Sequence, residues 1–271
     1  MTGLYTEVVG VGRPRFAFLH GLFGRGRNWA GIAQALADTG RASVLIDLPN
    51  HGRSHWTDRF DYPSMAAEVA DEIELRLGSA ASLILVGHSM GGKVAMLTAL
   101  SRPALVSGLA VIDIAPGPSG QVGTFAPLIS AMRAVDLTSL RSRADAEAAM
   151  IAAVPEEHVR LFLLQNLRRR PRWHWQPHLD LLDSALAEVA GWPDVGTASY
   201  PGPVRWITGE RSTYVRTADE PEMRRLFPAT RRIVVPDAGH WVHADDPEAV
   251  ISALLDLADE VEIQLNPRRR R

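Results

Sequence analysis

The 271-residue chain contains no cysteine. Disulfides, thiolate metal sites and a cysteine nucleophile are therefore excluded, and a reducing, cytoplasmic setting is compatible with the composition. Neither sign of charge dominates: 29 basic against 31 acidic residues give a net charge of −2. Nothing in that balance draws the chain to nucleic acid or to an acidic membrane surface. No stretch approaches the ~18 uninterrupted apolar residues that stable membrane insertion requires. The opening residues, MTGLYTEVVGVGRPRFAFLH, lack the charged start and apolar run of a signal peptide. Internal repeats are also missing, and the only biased run is NPRRRR at 266–271, expected to be a solvated, frayed end. What remains is ordinary for a globular protein, 46% hydrophobic and 22% charged. The length suffices for one large core or a core with a smaller appended piece.

Short apolar runs alternate with longer amphipathic ones. FAFLH (16–20), SVLID (43–47), LILVG (83–87), LAVIDI (109–114), VRWIT (204–208) and RIVVP (232–236) read as strands. Their near-continuous hydrophobicity predicts burial on both faces, as in a parallel sheet. Helical patterns lie between them. Asn28 is expected to cap WAGIAQALAD, which Gly40 ends, and Ser64 to cap MAAEVADEIELRL, which stops at Gly78. MGGKVAMLTAL and PEAVISALLDLADEV complete the alternation, so the fold class is α/β, a mostly parallel central sheet with helices on both faces. The rhythm breaks between PGPSG (116–120) and YPGP (200–203). TFAPLISAMRAV, ADAEAAMIAAV, EEHVRLFLLQNL and HLDLLDSALAEV predict a helical insertion without strands. The expected division is a core of 1–116 and 201–271 with an insertion at 117–200. An insertion there would cover the C-terminal ends of the strands, where open α/β sheets bind ligands.

Gly87-His88-Ser89-Met90-Gly91 matches G-x-S-x-G once, between a predicted strand and a predicted helix. That context predicts a tight, strained turn that exposes the Ser89 hydroxyl at the sheet edge, with glycines removing side chains that would collide. A P-loop reading fails because Val94, not Ser or Thr, follows Lys93. A serine hydroxyl needs a base, and the base needs an orienting group. His240, in PDAGHWVHA directly after the last predicted strand, is the expected base, with His243 the alternative. An oxyanion would be held by Met90 N–H and by a second donor from His20-Gly21-Leu22-Phe23-Gly24, with Leu22 preferred and Phe23 the alternate.

These residues resemble the α/β-hydrolase superfamily and, more narrowly, the YbfF-type esterases. The resemblance rests on HGLFGRGRNW (20–29), DLPNHGRS (47–54), GHSMGGKVAM (87–96), VIDIAP (111–116) and DAGHWVHA (237–244), and runs over most of the chain. It implies hydrolysis of small-molecule acyl esters, with thioesters a further class, and no metal or organic cofactor. It also implies that the 117–200 insertion is a cap. Many such hydrolases carry the triad acid in a G-x-x-D pattern after the strand preceding the histidine strand. Here that stretch is Gly209-Glu210-Arg211-Ser212, and Ser212 cannot carry negative charge. The resemblance carries an aspartate at Asp113 instead, with Glu210 and Asp237 as alternatives.

Other candidates have plainer readings. Asp47 is expected to brace the PNHGRS turn. His174 and His178, four apart, lack an acidic partner pattern and are expected on a surface or within the insertion, as His51 and His55 are in their loop. Trp173, Trp175 and Trp192 are expected in the insertion's core, with the wall of an acyl site as the alternative. Arg168 to Arg170 and Arg172 suggest a solvated face, with an anchor for an anionic substrate as the alternative. Rival activities are C–C bond hydrolysis, cofactor-free perhydrolysis and a non-catalytic scaffold.

Overall fold

A computed structural model describes residues 3–78, 82–120 and 122–265. The arginine tail lies outside the described residues. The strands are β1 (Thr6–Val9), β2 (Phe16–Leu19), β3 (Ser43–Ile46), β4 (Leu83–His88), β5 (Val106–Ile112), β6 (Leu167–Arg168), β7 (His174–Trp175), β8 (Val204–Gly209) and β9 (Thr230–Val235). The helices are α1 (Ala30–Asp38), α2 (Tyr62–Leu77), α3 (Met90–Ser101), α4 (Val122–Arg133), α5 (Arg143–Met150), α6 (Glu157–Leu164), α7 (Leu179–Ser184), α8 (Leu186–Ala190), α9 (Glu220–Leu226), α10 (Val242–Asp245) and α11 (Pro247–Leu265).

Seven strands form one sheet in the order β1-β3-β2-β4-β5-β8-β9. All neighbours pair in parallel except β1, which is antiparallel to β3. Alternation along the strands explains the unbroken apolar runs. Phe16 and Phe18 face the core shared with α1 and α11, whereas Ala17 and Leu19 face the core shared with α2 and α3. Both sets are fully buried, so apolar side chains fill both faces of β2. β1 was not expected from TEVV, a short edge segment with only partial burial. β9 departs from the expected double burial for the same reason: as the other edge strand it exposes Arg231, Arg232 and Val234.

Two helix starts differ from expectation. A 3₁₀ turn over Gly26–Trp29 precedes α1, and Asn28 Oδ1 accepts from Arg25 N–H at 2.7 Å, so Asn28 closes that turn instead of capping α1. Helix α2 begins at Tyr62, capped by Asp61, whose carboxylate accepts from Ser64 N–H at 2.8 Å. Pro63 lacks an N–H and fits the first turn, which lets the helix start ahead of Ser64. Gly40 (φ 84°) and Gly78 (φ 83°) do end their helices in backbone geometry that favours glycine.

The segment between β5 and β8 holds α4 to α8, but it is not purely helical. Leu167 pairs with Trp175 and Arg168 with His174 in a short antiparallel hairpin, β6–β7. HLDLLDSALAEV, expected as one helix, is two, divided at Ala185. The segment is bonded to loops at the C-terminal ends of the core strands. Asn166 Nδ2 donates to the Phe23 carbonyl at 2.6 Å, Gln176 Nε2 to that of Gly52 at 2.8 Å, and His178 N–H to that of Asn50 at 3.0 Å. The buried Lys93 ammonium donates to the carbonyls of Ala190 (2.7 Å) and Gly191 (2.6 Å), and burial holds its pKa at about 8. Among the described residues no helix is long and apolar enough to cross a membrane.

Candidate functional site

The motif at 87–91 is the link between β4 and α3. Ser89 sits at φ 52° and ψ −120°, a region that costs a non-glycine residue of order 1–3 kcal/mol. The glycines make this bend feasible. A methyl group at Gly87 would lie 2.6 Å from the Gly91 carbonyl carbon, and one at Gly91 would lie 2.5 Å from the His20 carbonyl oxygen. Ser89 N–H donates to Ile112 at the end of β5 (3.0 Å), and Ser89 carbonyl accepts from Lys93 N–H (3.1 Å), which starts the helix. The hydroxyl has no hydrogen-bond partner among the described residues.

Asp113 follows β5 directly, also at positive φ (52°), and is fully buried. Its Oδ2 accepts from His240 Nδ1–H at 2.8 Å and from the Ser212 hydroxyl; Oδ1 accepts from Gly209 N–H at 3.2 Å. Three donors thus hold the carboxylate, and the bond to Nδ1 leaves His240 Nε2 unprotonated in the neutral ring. The Tyr214 ring stacks on His240, centroids 3.6 Å apart at 15°. Burial, and then the Asp113 charge, push its phenol up to about 12. Tyr214 and His88 carry no sequence signal of such a role, and Ser212 stands out in the sequence only as a position without negative charge. His88 Nε2–H donates to the His240 carbonyl at 2.9 Å, so the residue beside Ser89 docks directly on the histidine loop.

The alternatives lie elsewhere. Glu210 accepts from Asp237 N–H at 3.1 Å, and Arg211 donates to the Asp237 carbonyl, so both acids brace the turn after β9. His243 packs between Trp29 and His88 (centroids 4.5 and 4.6 Å), and desolvation lowers its pKa to about 3.

The His20–Gly24 loop passes against Ser89. A methyl group on Gly21 would lie 3.3 Å from Ser89 Cβ and 2.8 Å from His88 Nδ1, so only glycine permits the approach. His20 Nε2 accepts from Leu48 N–H at 2.9 Å, which leaves its Nδ1–H to donate to the Gly21 carbonyl at 2.9 Å. Gly24 N–H closes the turn on the same carbonyl (2.9 Å), with Phe23 at φ 60°. Neither Leu22 nor Phe23 N–H donates to an acceptor among the described residues. Met90 N–H, at the first position of α3, belongs to the helix end that lacks intrahelical acceptors.

The remaining sequence candidates are accounted for locally. Asp47 accepts from Gly26 N–H (2.7 Å) and Arg53 N–H (2.8 Å). His55 meets Glu68 at 3.1 Å, His174 donates to the Arg172 carbonyl at 2.9 Å, and His178 stacks on Trp56 at 4.2 Å. The indoles of Trp173 and Trp175 donate to the carbonyls of Leu140 and Met132 within the β5–β8 segment, and Trp192 packs against the same core. Among the described residues no three His, Asp or Glu side chains converge as a metal site would require.

Burial also dictates an acid limit. Desolvation lowers His20 to about 4 and His51 to about 3, with the neighbouring ring of His20 adding to the effect on His51. A depressed folded-state pKa means the unfolded chain binds the proton more readily. The stability is therefore complete above the unfolded value of about 6.5 and is lost as pH falls towards the folded values. Urea unfolding at about pH 4.5 is expected to give a stability lower than at about pH 7.5 by on the order of 2–3 kcal/mol for His20 alone. Unchanged stability across that window would contradict the neutral, buried His20.

The geometry agrees with the comparisons to known proteins. The family model described as the alpha/beta hydrolase fold matches residues 14–247. The sn-1-specific diacylglycerol lipase ABHD11 of Danio rerio is 39% identical over 245 residues, covering 88% of this chain and 76% of that protein. Esterase YbfF of Escherichia coli (strain K12) is 32% identical over 237 residues, covering 87% and 89%. The solved structure of a marine microorganism esterase superposes with a TM-score of 0.89 at 31% identity, over 94% of this chain and 99% of that one. With a seven-stranded sheet of this order, the serine bend after its fourth strand and relatives of this similarity, the chain belongs to the α/β-hydrolase superfamily and within it to the YbfF-type esterase family.

Proposed function

We propose that the protein is a serine carboxylesterase in which Ser89, His240 and Asp113 form the catalytic triad. The observation that carries this is the 2.8 Å bond from His240 Nδ1–H to the buried Asp113 carboxylate, on a loop docked beside the Ser89 bend. Names of relatives support ester hydrolysis as the reaction class. His240 Nε2 takes the Ser89 proton as the hydroxyl attacks the acyl carbonyl. Asp113 stabilises the imidazolium that forms, and the N–H groups of Leu22 and Met90 receive the oxyanion, with Phe23 the alternate to Leu22. The alcohol leaves with a proton from His240, and water activated by the same base clears the acyl-serine. Among the described residues the Ser89 hydroxyl has no hydrogen-bond partner. Such contacts often tighten only when substrate is bound.

Residues 117–200 serve as a lid in this reading, since their hydrogen bonds reach the loops that surround the serine. The substrates are small acyl esters, including glycerol esters as the lipase relatives suggest, and thioesters. The cysteine-free composition fits a cytoplasmic setting.

Two measurements test this. A fluorophosphonate probe should label the protein once, at Ser89, by intact mass and peptide mapping. A series of p-nitrophenyl esters from acetate to palmitate, together with a diacylglycerol, should show turnover and report acyl length. An unlabelled protein would identify a scaffold. Labelling together with turnover of a vinylogous diketone, or of acetate plus peroxide, in place of esters would move the chemistry to C–C hydrolysis or perhydrolysis.

A further inference from the structure

Arg168, the first residue of the arginine run, lines a cavity beside the loop that follows β2. Arg25, Arg27, Arg53 and Arg168 line it, with Asp47 and Glu7 the carboxylates among the lining residues. Four guanidinium groups less two carboxylates leave a lining charge of +2. The Asp47 charge draws on Arg25, but its oxygens are held by the backbone N–H groups of Gly26 and Arg53, and one carboxylate leaves the cationic excess in place. None of these four arginines enters an ion pair among the described residues. Arginines elsewhere do, such as Arg41 with Asp259 and Arg205 with Glu260, each at 2.7 Å.

Among the described residues the cavity's guanidinium groups bond to neutral oxygens alone or to none. Arg53 Nη1 donates to the Tyr5 hydroxyl at 2.8 Å, and its guanidinium lies 4.8 Å from that ring's centre. Arg168 Nη1 donates to the carbonyls of Gln165 (2.7 Å) and Leu167 (3.0 Å). Arg25 Nε is buried with no hydrogen-bond partner among the described residues. Arg168 is held down at about 10, first by burial and then by the charges of Arg25, Arg143 and Arg53. Like charges crowded into a partly desolvated hollow repel, and an anion that accepts several N–H bonds at once relieves the repulsion.

We propose that this cavity binds a phosphate dianion, free or as the terminal group of a phosphomonoester, through Arg25, Arg53 and Arg168. A dianion matches the charge excess, and its oxygens suit forked guanidinium donors better than a carboxylate with only two. Bound there, it ties the loop after β2 and the turn after β3 to the β6–β7 hairpin. The site lies apart from Ser89 and does not depend on the esterase reading.

The test is calorimetric titration of the full chain with inorganic phosphate and, separately, with glycerol 3-phosphate, at low and constant ionic strength. Saturable binding of at least one, with one site per chain, is expected. At a hundredfold excess over Kd the melting temperature should rise by roughly 5 °C. Tighter binding of inorganic phosphate identifies the free ion, and tighter binding of glycerol 3-phosphate an ester headgroup; each supports the site. Arg53→Gln and Arg168→Gln should each weaken binding at least about tenfold. Arg53 is exposed, so its replacement leaves the fold intact and decides the matter should Arg168→Gln misfold. No saturable binding of either compound, or equal affinity in a folded Arg53→Gln protein, would overturn the proposal.

Discussion

Replacing Ser89 with alanine is expected to lower ester kcat by on the order of 10⁶-fold, with little change in stability. The activity loss follows because nothing else at the bend supplies a nucleophile; Met90 and His88 flank it. Residual turnover would come from binding and the oxyanion donors acting on water, which alone give about 10³–10⁴-fold. Stability should hold because the hydroxyl makes no hydrogen bond among the described residues that alanine would lose. Alanine also inherits the same backbone at φ 52°, so the strain is unchanged. Steady-state hydrolysis of p-nitrophenyl butyrate and a thermal melt, run side by side, check both halves. An alanine variant that keeps parental turnover would end the nucleophile assignment; one that unfolds would instead point to a structural duty for the hydroxyl.

Asp113→Asn should cost about 10³–10⁴-fold in kcat, whereas Glu210→Gln should stay within about threefold. The neutral amide keeps the shape of the carboxylate but can present an N–H to His240 Nδ1. That favours the tautomer protonated at Nε2, which cannot accept the Ser89 proton. Glu210 has no such leverage, since its carboxylate is committed to Asp237 N–H. Ser212→Ala should fall between the two, because it removes one of three donors to Asp113 without altering the charge. A large loss confined to Glu210→Gln would reassign the acid.

Much of this was legible in the residues, for reasons that differ by element. The interior strands are readable because burial on both faces keeps their runs mostly apolar, as in Phe16–Leu19. The edges are not: β1 and β9 each face solvent on one flank, so their sequences mix charge with β-branched residues. Caps failed where two good candidates compete within three residues. Asp61 and Ser64 bond to each other, and Pro63 decides which one opens the helix. The hairpin β6–β7 spans two residues on each side, too short for any alternation to register.

At the site, the glycine spacing made the Ser89 bend readable because a clash of backbone with Cβ is local. The His240–Asp113 pairing bridges 127 positions and needed the family resemblance. Ser212 was read only as a missing acid. The structure gives it a positive task, donating its hydroxyl to the Asp113 carboxylate. Tyr214 escaped notice because stacking on an imidazole leaves no spacing signature.

The arginines of β9 have a further bearing on how the protein behaves when crowded. An open edge of a parallel sheet invites a second copy to add its own strand and extend the ladder. Here Arg231 and Arg232 stand on that edge, partly matched by Glu260 at 3.3 Å and Glu220 at 3.1 Å. A copy approaching edge to edge would bring the same guanidinium groups face to face and have to strip their water. Concentrated solutions of this chain should thereby resist sheet-to-sheet zippering along the β9 flank.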